Sequence, residues 1–120
     1  MIKHDEIRKI IQIIRECSAV ALKFQKQKNL DISIKDDNSP VTKADIEISR
    51  IAFNKLSEIF PNDKIISEEN IVNTNKVDMD RYWLIDPIDG TKEFISKSGF
   101  FTINFALISN NKPVFGIICQ

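Results

Sequence analysis

Cysteine, glycine, proline and histidine are scarce in this sequence, and their scarcity excludes several classes of protein. Its 120 residues include only two cysteines, Cys17 and Cys119, three glycines, four prolines and one histidine, His4. Cysteines so far apart form neither a CxxC pair nor a disulfide scaffold, which fits a reducing compartment. A single histidine next to the N-terminus excludes a histidine-based catalytic triad. No apolar run approaches the roughly 20 residues that span a bilayer, and the charged N-terminus does not resemble a signal peptide. We therefore expect a soluble, cytoplasmic protein.

An excess of charge of either sign is also missing. Seventeen Lys and Arg residues balance 17 Asp and Glu residues. A balanced chain has no global field that would recruit a nucleic-acid polymer or an anionic membrane, so we expect neither as a partner. At this length the chain is below the size at which chains divide into several domains. We therefore expect one domain with a locally built binding site.

Hydrophobic periodicity predicts two amphipathic helices in the first half of the chain. Over residues 3–28, apolar residues recur at the three- and four-residue spacing of a helix. A second helix is predicted to open at Thr42 and to end before Pro61, which cannot continue it. Between the helices, residues 30–34 alternate weakly like a short strand, and residues 35–40 are rich in turn formers.

The second half is predicted to be mostly β-structure. Short strands are predicted over residues 64–67 and 81–85, and residues 101–119 resemble a hairpin that turns at two asparagines. Residues 91–95 fit one turn of helix. This order predicts an α+β fold, with two N-terminal helices packed on a largely antiparallel sheet. Because the sequence stops at Gln120 inside an apolar strand, we expect a truncated fold whose exposed C-terminal strand could mediate a homo-oligomer.

Two aspartates, Asp86 and Asp89, flank a proline at the end of a predicted strand. A strand ending at Asp86 would project both carboxylates to one side, with the carbonyl of Ile88 between them. Such clustered hard oxygen ligands suit Mg²⁺. Thr91 adds a hydroxyl, and the amides of Gly90 and Thr91 would bind an anion if a helix starts there. The competing interpretation makes Asp86 an N-cap and Asp89 a turn residue.

Three further acidic residues are candidates for the same site. Glu68 and Glu69 follow a predicted strand, and Asp45 lies in the first turn of the second predicted helix. Asp45 could act as a general base on a metal-held water beside the Thr91 hydroxyl, or it could complete a capping box with Thr42. The adjacent glutamates are equally compatible with a solvated loop. The residues alone leave both pairs of alternatives open.

Four ordered segments resemble the inositol monophosphatase-like family of lithium-sensitive, metal-dependent phosphatases. They are DNSPVTKAD (37–45), ISEE (66–69), YWLIDPIDGTKEFI (82–95) and GFFTINFALI (99–108). The first and third look most like the CysQ-type 3′(2′),5′-bisphosphate nucleotidases. The resemblance implies that residues 1–120 form the N-terminal α+β portion of the sugar-phosphatase αβαβα fold. It also implies that the family's C-terminal half is absent, along with another aspartate ligand and most contacts to sugar and base.

The resemblance implies a set of metal ligands. Glu68, Asp86 and the Ile88 carbonyl would hold one Mg²⁺ ion. Asp86 would bridge to a second ion that Asp89 also binds, and Glu69 would help to place a further metal ion or water. The family is therefore expected to use two or three Mg²⁺ ions, with the second site incomplete in this chain.

The resemblance also implies the catalytic roles and the substrate. Asp45 and Thr91 would orient and deprotonate the attacking water, while the Gly90 and Thr91 amides would receive the phosphate. The expected substrate is a small phosphorylated nucleotide that loses its 3′-phosphate, such as adenosine 3′,5′-bisphosphate, with inositol phosphate as the alternative. Phe100 stands where the resemblance to CysQ-type relatives would place a glutamate. The contrasting hypothesis is a truncated, catalytically weak or inactive remnant that binds metal or self-associates.

Overall fold

Three helices and six strands occupy the part of the chain that the computed structural model describes, residues 2–26, 32–34, 40–67, 80–97 and 100–120. In chain order these elements are α1 (His4–Gln25), β1 (Ile32–Ile34), β2 (Pro40–Thr42), α2 (Lys43–Ile59), β3 (Lys64–Ser67), β4 (Arg81–Asp89), α3 (Thr91–Ser96), β5 (Thr102–Ser109) and β6 (Lys112–Cys119).

The first predicted helix, over residues 3–28, is confirmed as α1. The helix begins at His4 and ends at Gln25, before the predicted end. At its start, the backbone N–H of Lys3 donates a hydrogen bond to the Glu6 carboxylate at 2.9 Å, which satisfies a donor outside the helix. The helix ends at Gln25, where Lys26 is the C-cap. Its apolar stripe packs into the core.

Helix α2 is also confirmed, and it begins directly after Thr42, the residue predicted to open it. Thr42 is the last residue of β2, which pairs antiparallel with β1, and the helix begins at Lys43. The β-branched pair Val41 and Thr42 favours an extended backbone, and the strand partner lies ten residues earlier, beyond the reach of a local helix signal. The predicted end before Pro61 is correct, since α2 stops at Ile59.

The four-stranded sheet has the order β3-β4-β5-β6. The β3-β4 pair is parallel, and the β4-β5 and β5-β6 pairs are antiparallel, which confirms a largely antiparallel sheet. Strand β4 runs to Asp89, so the prediction that it ends at Asp86 is wrong. Pro87 falls where the β4-β5 register shifts, a position at which a residue without an N–H group is tolerated.

Helices α1 and α2 cover one face of this sheet. Alternate residues of the two central strands point to that face and are buried: Trp83, Ile85, Ile103, Phe105 and Leu107. The Trp83 ring lies 5.3 Å from the Phe60 ring and 6.0 Å from the Phe115 ring, between centroids. These contacts confirm the α+β architecture with both N-terminal helices on one side of the sheet.

The opposite face of the sheet is apolar and open among the described residues. Leu84 of β4 is 41% exposed and Ile118 of β6 is 71% exposed. Half-buried Ala106 of β5 lies between these strands, opposite Leu84 in register. Exposed apolar side chains on adjoining strands form the kind of surface that a further layer of protein normally covers.

Both cysteines carry free thiols, and Cys17 is fully buried on α1. Burial in the core raises the pKa of the Cys17 thiol to about 12. A thiol held in its neutral form in this way is a poor nucleophile, so Cys17 acts as a small core residue, as the sequence predicts. None of the helices in the described residues is long and apolar enough to cross a membrane.

Asp63, in the turn after α2, fixes the start of β4. One carboxylate oxygen of Asp63 accepts hydrogen bonds from Trp83 Nε1 at 3.1 Å and from Arg81 Nε at 3.0 Å. The Asp63 side chain is only 9% exposed, and Trp83 is fully buried. The indole N–H would therefore be left buried without an acceptor if this carboxylate were removed.

We predict that Asp63→Ala lowers the free energy of unfolding by about 1–3 kcal/mol, the cost of an unsatisfied buried donor. Asp63→Asn keeps an acceptor oxygen and should lose less. Urea unfolding followed by the fluorescence of Trp83 measures both effects. Asp80→Ala, at an exposed neighbouring position, is the matched control and should change stability by less than about 0.5 kcal/mol. Equal stabilities of the Asp63→Ala and Asp80→Ala variants would contradict this assignment.

Candidate functional site

Strand β4 delivers the two predicted aspartates to a tight strand-to-helix connection. Asp86 is half-buried, Ile88 is buried and Asp89 is exposed at the end of the strand. Only Gly90 separates Asp89 from the first residue of α3. The interpretation of Asp86 as a helix N-cap is therefore wrong, because Gly90 occupies that position. Both aspartates belong to the strand itself.

Gly90 has a backbone conformation that the connection requires. Its φ of 92° and ψ of 45° lie in the left-handed region, which other residues adopt only with strain. A Cβ atom at this position would lie 3.3 Å from the backbone carbonyl oxygen of Phe100 and 3.3 Å from the Glu93 carboxylate. The Phe100 ring itself is 82% exposed. A glycine therefore allows the chain before β5 to approach the turn closely.

Thr91 closes the same turn with its side chain. The Thr91 hydroxyl donates a hydrogen bond to the carbonyl oxygen of Ile88 at 3.1 Å. A carbonyl oxygen has two lone pairs, so this bond leaves Ile88 able to contact a cation as well. The hydroxyl oxygen of Thr91 likewise keeps its acceptor capacity. The predicted ligand carbonyl and the predicted catalytic hydroxyl are thus direct neighbours.

Asp45 is brought into the interior by α2. It lies in the first turn of the helix, is 1% exposed, and belongs to a helix that packs against β4. One turn later, the Ser49 hydroxyl lies 2.6 Å from the hydroxyl of Ser67, the last residue of β3. This buried hydrogen bond joins α2 to the end of β3. The first turn of α2, which carries Asp45, is therefore held in a fixed position relative to β3.

Asn104 is a site residue that the sequence analysis did not identify. It lies on β5 directly opposite Asp86 in the strand register. Its amide nitrogen donates a hydrogen bond to Asp89 Oδ2 at 3.5 Å, and its buried Oδ1 atom has no hydrogen-bond partner within the described residues. The available signal was an amide in the middle of a predicted strand, where asparagine is depleted.

The predicted ligands are only partly located. Glu68 and Glu69 lie outside the described residues, so their metal-binding roles stay predictions. Within the described ranges, no three histidine, cysteine or acidic residues are grouped closely enough to hold a metal ion. The candidates that the structure locates all lie on residues 86–91 and are oxygen donors, namely two carboxylates, a peptide carbonyl and a hydroxyl, and the hydroxyl of Thr91 contacts the carbonyl of Ile88 directly. This donor set, beside the unsatisfied Oδ1 of Asn104, fits a hard, hydrated cation such as Mg²⁺.

Comparison with known sequences identifies one family. A model of the inositol monophosphatase family matches residues 3–120. The chain is 39% identical over 111 residues to the 3′(2′),5′-bisphosphate nucleotidase CysQ of Escherichia coli K12, a match that covers 91% of this chain and 45% of that protein. It is 42% identical over 94 residues to the Haemophilus influenzae protein of the same name, covering 77% of this chain and 35% of that protein. The chain thus spans less than half the length of these relatives.

Solved structures share the fold. The extragenic suppressor protein suhB from Bartonella henselae matches with a TM-score of 0.82 and 29% identity over 93% of this chain and 43% of that one. CysQ from Bacteroides thetaiotaomicron matches with a TM-score of 0.67 and 34% identity over 92% of this chain and 40% of that one. Both comparisons agree with the α+β arrangement described above.

We predict that Gly90→Ala lowers the free energy of unfolding by about 1–2 kcal/mol, because alanine is strained in the left-handed region. The close Phe100 carbonyl should add to this loss. Gly116→Ala on β6 is the matched control, since a Cβ atom there has its nearest neighbour at 3.9 Å and φ is not positive. Urea titration of both variants provides the measurement. A Gly90→Ala variant as stable as Gly116→Ala would show that the turn does not need glycine.

Proposed function

The chain belongs to the inositol monophosphatase family, and on that premise we propose that it supplies the metal-binding and water-activating residues of a Mg²⁺-dependent phosphomonoesterase. The observation that carries the proposal is the turn over residues 86–91, where two carboxylates, a peptide carbonyl and a hydroxyl adjoin one strand-to-helix connection. We further propose that residues 1–120 form the N-terminal portion of the phosphatase domain. The length of the relatives supports this division.

The proposed metal ligands are those that the family pattern implies. Glu68, Asp86 and the Ile88 carbonyl would hold one Mg²⁺ ion, Asp89 would join Asp86 on a second, and Glu69 would help to place a further ion or water. A bound Mg²⁺ ion supplies positive charge that offsets the carboxylates and the phosphate ester and favours ionisation of a coordinated water. All of these ligands are oxygen atoms, as Mg²⁺ prefers.

The chain's own residues would handle the proton and the phosphate. The O–H of Thr91 is donated to Ile88, which orients the hydroxyl oxygen as an acceptor for a proton of the attacking water. Asp45 would accept the other proton of that water as the general base, because its burial on α2 keeps its carboxylate out of bulk solvent. The amides of Gly90 and Thr91 would bind the phosphate oxygens at the start of α3.

The proposed substrate is adenosine 3′,5′-bisphosphate or a related nucleotide that loses its 3′-phosphate. The names of the relatives at 39% and 42% identity support this class. Inositol phosphate is the alternative, supported by the family as a whole. The exposed Phe100 ring, in place of an expected glutamate, is the feature of this chain that most weakens the choice of nucleotide.

A second proposal comes from the open apolar face of the sheet. Leu84 and Ile118 are exposed there, and the relatives are more than twice as long as the matched region. A catalytically weak or inactive chain that binds metal and associates with another copy, through this face or the edge strand β6, would also cover these residues. Measured activity and oligomeric state distinguish the two proposals.

We predict that the purified protein releases phosphate from adenosine 3′,5′-bisphosphate only with Mg²⁺, and that Li⁺ inhibits the release. Asp86→Asn and Asp89→Asn should each lower the rate by about 100-fold or more, since a carboxylate ligand contributes several kcal/mol of charge stabilisation. Asp80→Asn, an exposed aspartate before the start of β4, is the matched control and should leave the rate unchanged. A colorimetric phosphate assay provides the measurement, with inositol 1-phosphate tested in parallel.

Two results would overturn the phosphatase proposal. One is no phosphate release from either substrate, together with equal Mg²⁺ affinity in the wild-type and Asp86→Asn proteins. That result would leave only an inactive chain that associates with another copy. Size-exclusion chromatography with light scattering would then test this association. The other is phosphate release that persists in a chelator, because the proposed site has no function without its cation.

A further inference from the structure

Asn104 occupies an unusual position in β5. Its neighbours Ile103 and Phe105 are buried in the core, so Asn104 points to the opposite face of the sheet. On that face of β5, Thr102 and Asn104 are polar, and Ala106 and Ile108 follow at two-residue spacing. Asn104 is paired in register with Asp86, and directly opposed residues of antiparallel strands have neighbouring side chains. The amide therefore lies beside the proposed metal ligands.

The hydrogen bonding of Asn104 fixes which way its amide points. The amide nitrogen lies 3.5 Å from Asp89 Oδ2, at the outer limit of a hydrogen bond. An ionised carboxylate only accepts hydrogen bonds, so the NH₂ group rather than the oxygen must face Asp89. The Oδ1 atom of Asn104 is then directed elsewhere. It is buried and has no hydrogen-bond partner within the described residues.

A buried acceptor without a donor is costly, at about 1–3 kcal/mol. An apolar residue at position 104 would avoid this cost on a face that already carries Ala106 and Ile108. The adjacent Asp86 and Asp89 carboxylates cannot satisfy Oδ1, because they are acceptors as well. A water molecule that hydrates a cation held by those carboxylates is a donor of the right chemistry, since Mg²⁺ in proteins usually keeps several waters.

We propose that Asn104 is a positioning residue for the metal site, whose amide N–H group orients Asp89 and whose Oδ1 atom accepts a hydrogen bond from a water of the bound cation. This inference rests on the proposed function and adds a residue to it. Groups that orient a metal ligand or its water typically change metal affinity by about 10- to 100-fold when removed. Asn104 acts through Asp89 and a water, without touching the substrate.

The test is the Mg²⁺ affinity of Asn104→Leu, measured by isothermal titration calorimetry on the purified protein. Leucine branches at Cγ like asparagine but has neither donor nor acceptor. We expect a Kd about 10- to 100-fold weaker than that of the wild type. The Tm of the metal-free variant should be equal or higher, because the unsatisfied acceptor is gone. Asn54→Leu makes the same chemical change at an exposed site on α2 and should bind Mg²⁺ like the wild type.

A second variant keeps the inference testable if leucine disturbs the strand. Asn104→Asp retains an oxygen acceptor, loses the N–H donor to Asp89 and adds a third carboxylate that attracts the cation, so it should bind Mg²⁺ more tightly than Asn104→Leu. Its metal-free Tm should fall because like charges repel across the strands, and Mg²⁺ should restore it. Weaker Mg²⁺ binding by Asn104→Asp, to the level of Asn104→Leu, would overturn the role of the acceptor.

The outcomes separate this inference from the proposed function. No Mg²⁺ binding by the wild-type protein would overturn the proposed metal site and the inference together. Mg²⁺ binding by the wild type, with an equal Kd for Asn104→Leu and a lower metal-free Tm, would overturn the inference alone and make Asn104 a structural residue. Loss of affinity in Asn104→Leu, with affinity kept in Asn54→Leu and tighter binding by Asn104→Asp than by Asn104→Leu, would support it.

Discussion

The pairing of β4 with β5 as far as Asp89 is the constraint on which the candidate site depends. Without it, the segment around Pro87 would be a free turn, and the two aspartates would separate to reduce their mutual repulsion. The register instead holds Asp86 opposite Asn104 and Asp89 opposite Thr102. Holding two carboxylates three residues apart on one strand costs free energy, and a divalent cation between them would offset that cost. The fold and the proposed chemistry are coupled for this reason.

The rest of the architecture supports that strand. The Trp83 ring anchors its first half in the core, and the shared carboxylate of Asp63 satisfies the indole N–H at the edge. The buried hydroxyl pair of Ser49 and Ser67 ties α2 to the neighbouring strand. The family pattern places its acidic residues after β3 and at the end of β4, where Asp89 is exposed. The other face remains apolar and open among the described residues, which fits a chain that spans less than half of its relatives.

Local signals were sufficient for much of the fold. The apolar stripes of both long helices, the stop at Pro61 and the asparagine turn of the β5-β6 hairpin all lie within short windows, and the structure confirms each of them. The errors arose where a distant partner overrides local preference. Asp-Pro and Asp-Gly pairs are typical of turns, yet β5 holds this segment as a strand. Asn104 was missed for the same reason, since its significance depends on the residue across the sheet. The roles of Glu68 and Glu69 stay predictions because those residues lie outside the described part of the chain.

The most direct measurement is the position of a bound cation. Crystals of the protein grown with Mn²⁺ as a substitute for Mg²⁺ would reveal the ion by its anomalous scattering. The account predicts one peak within about 2.5 Å of a carboxylate oxygen of Asp86 and the carbonyl oxygen of Ile88, and a second within the same distance of carboxylate oxygens of Asp86 and Asp89. An anomalous map with no ion at this turn, and with both carboxylates instead bound to lysine or arginine side chains, would contradict it.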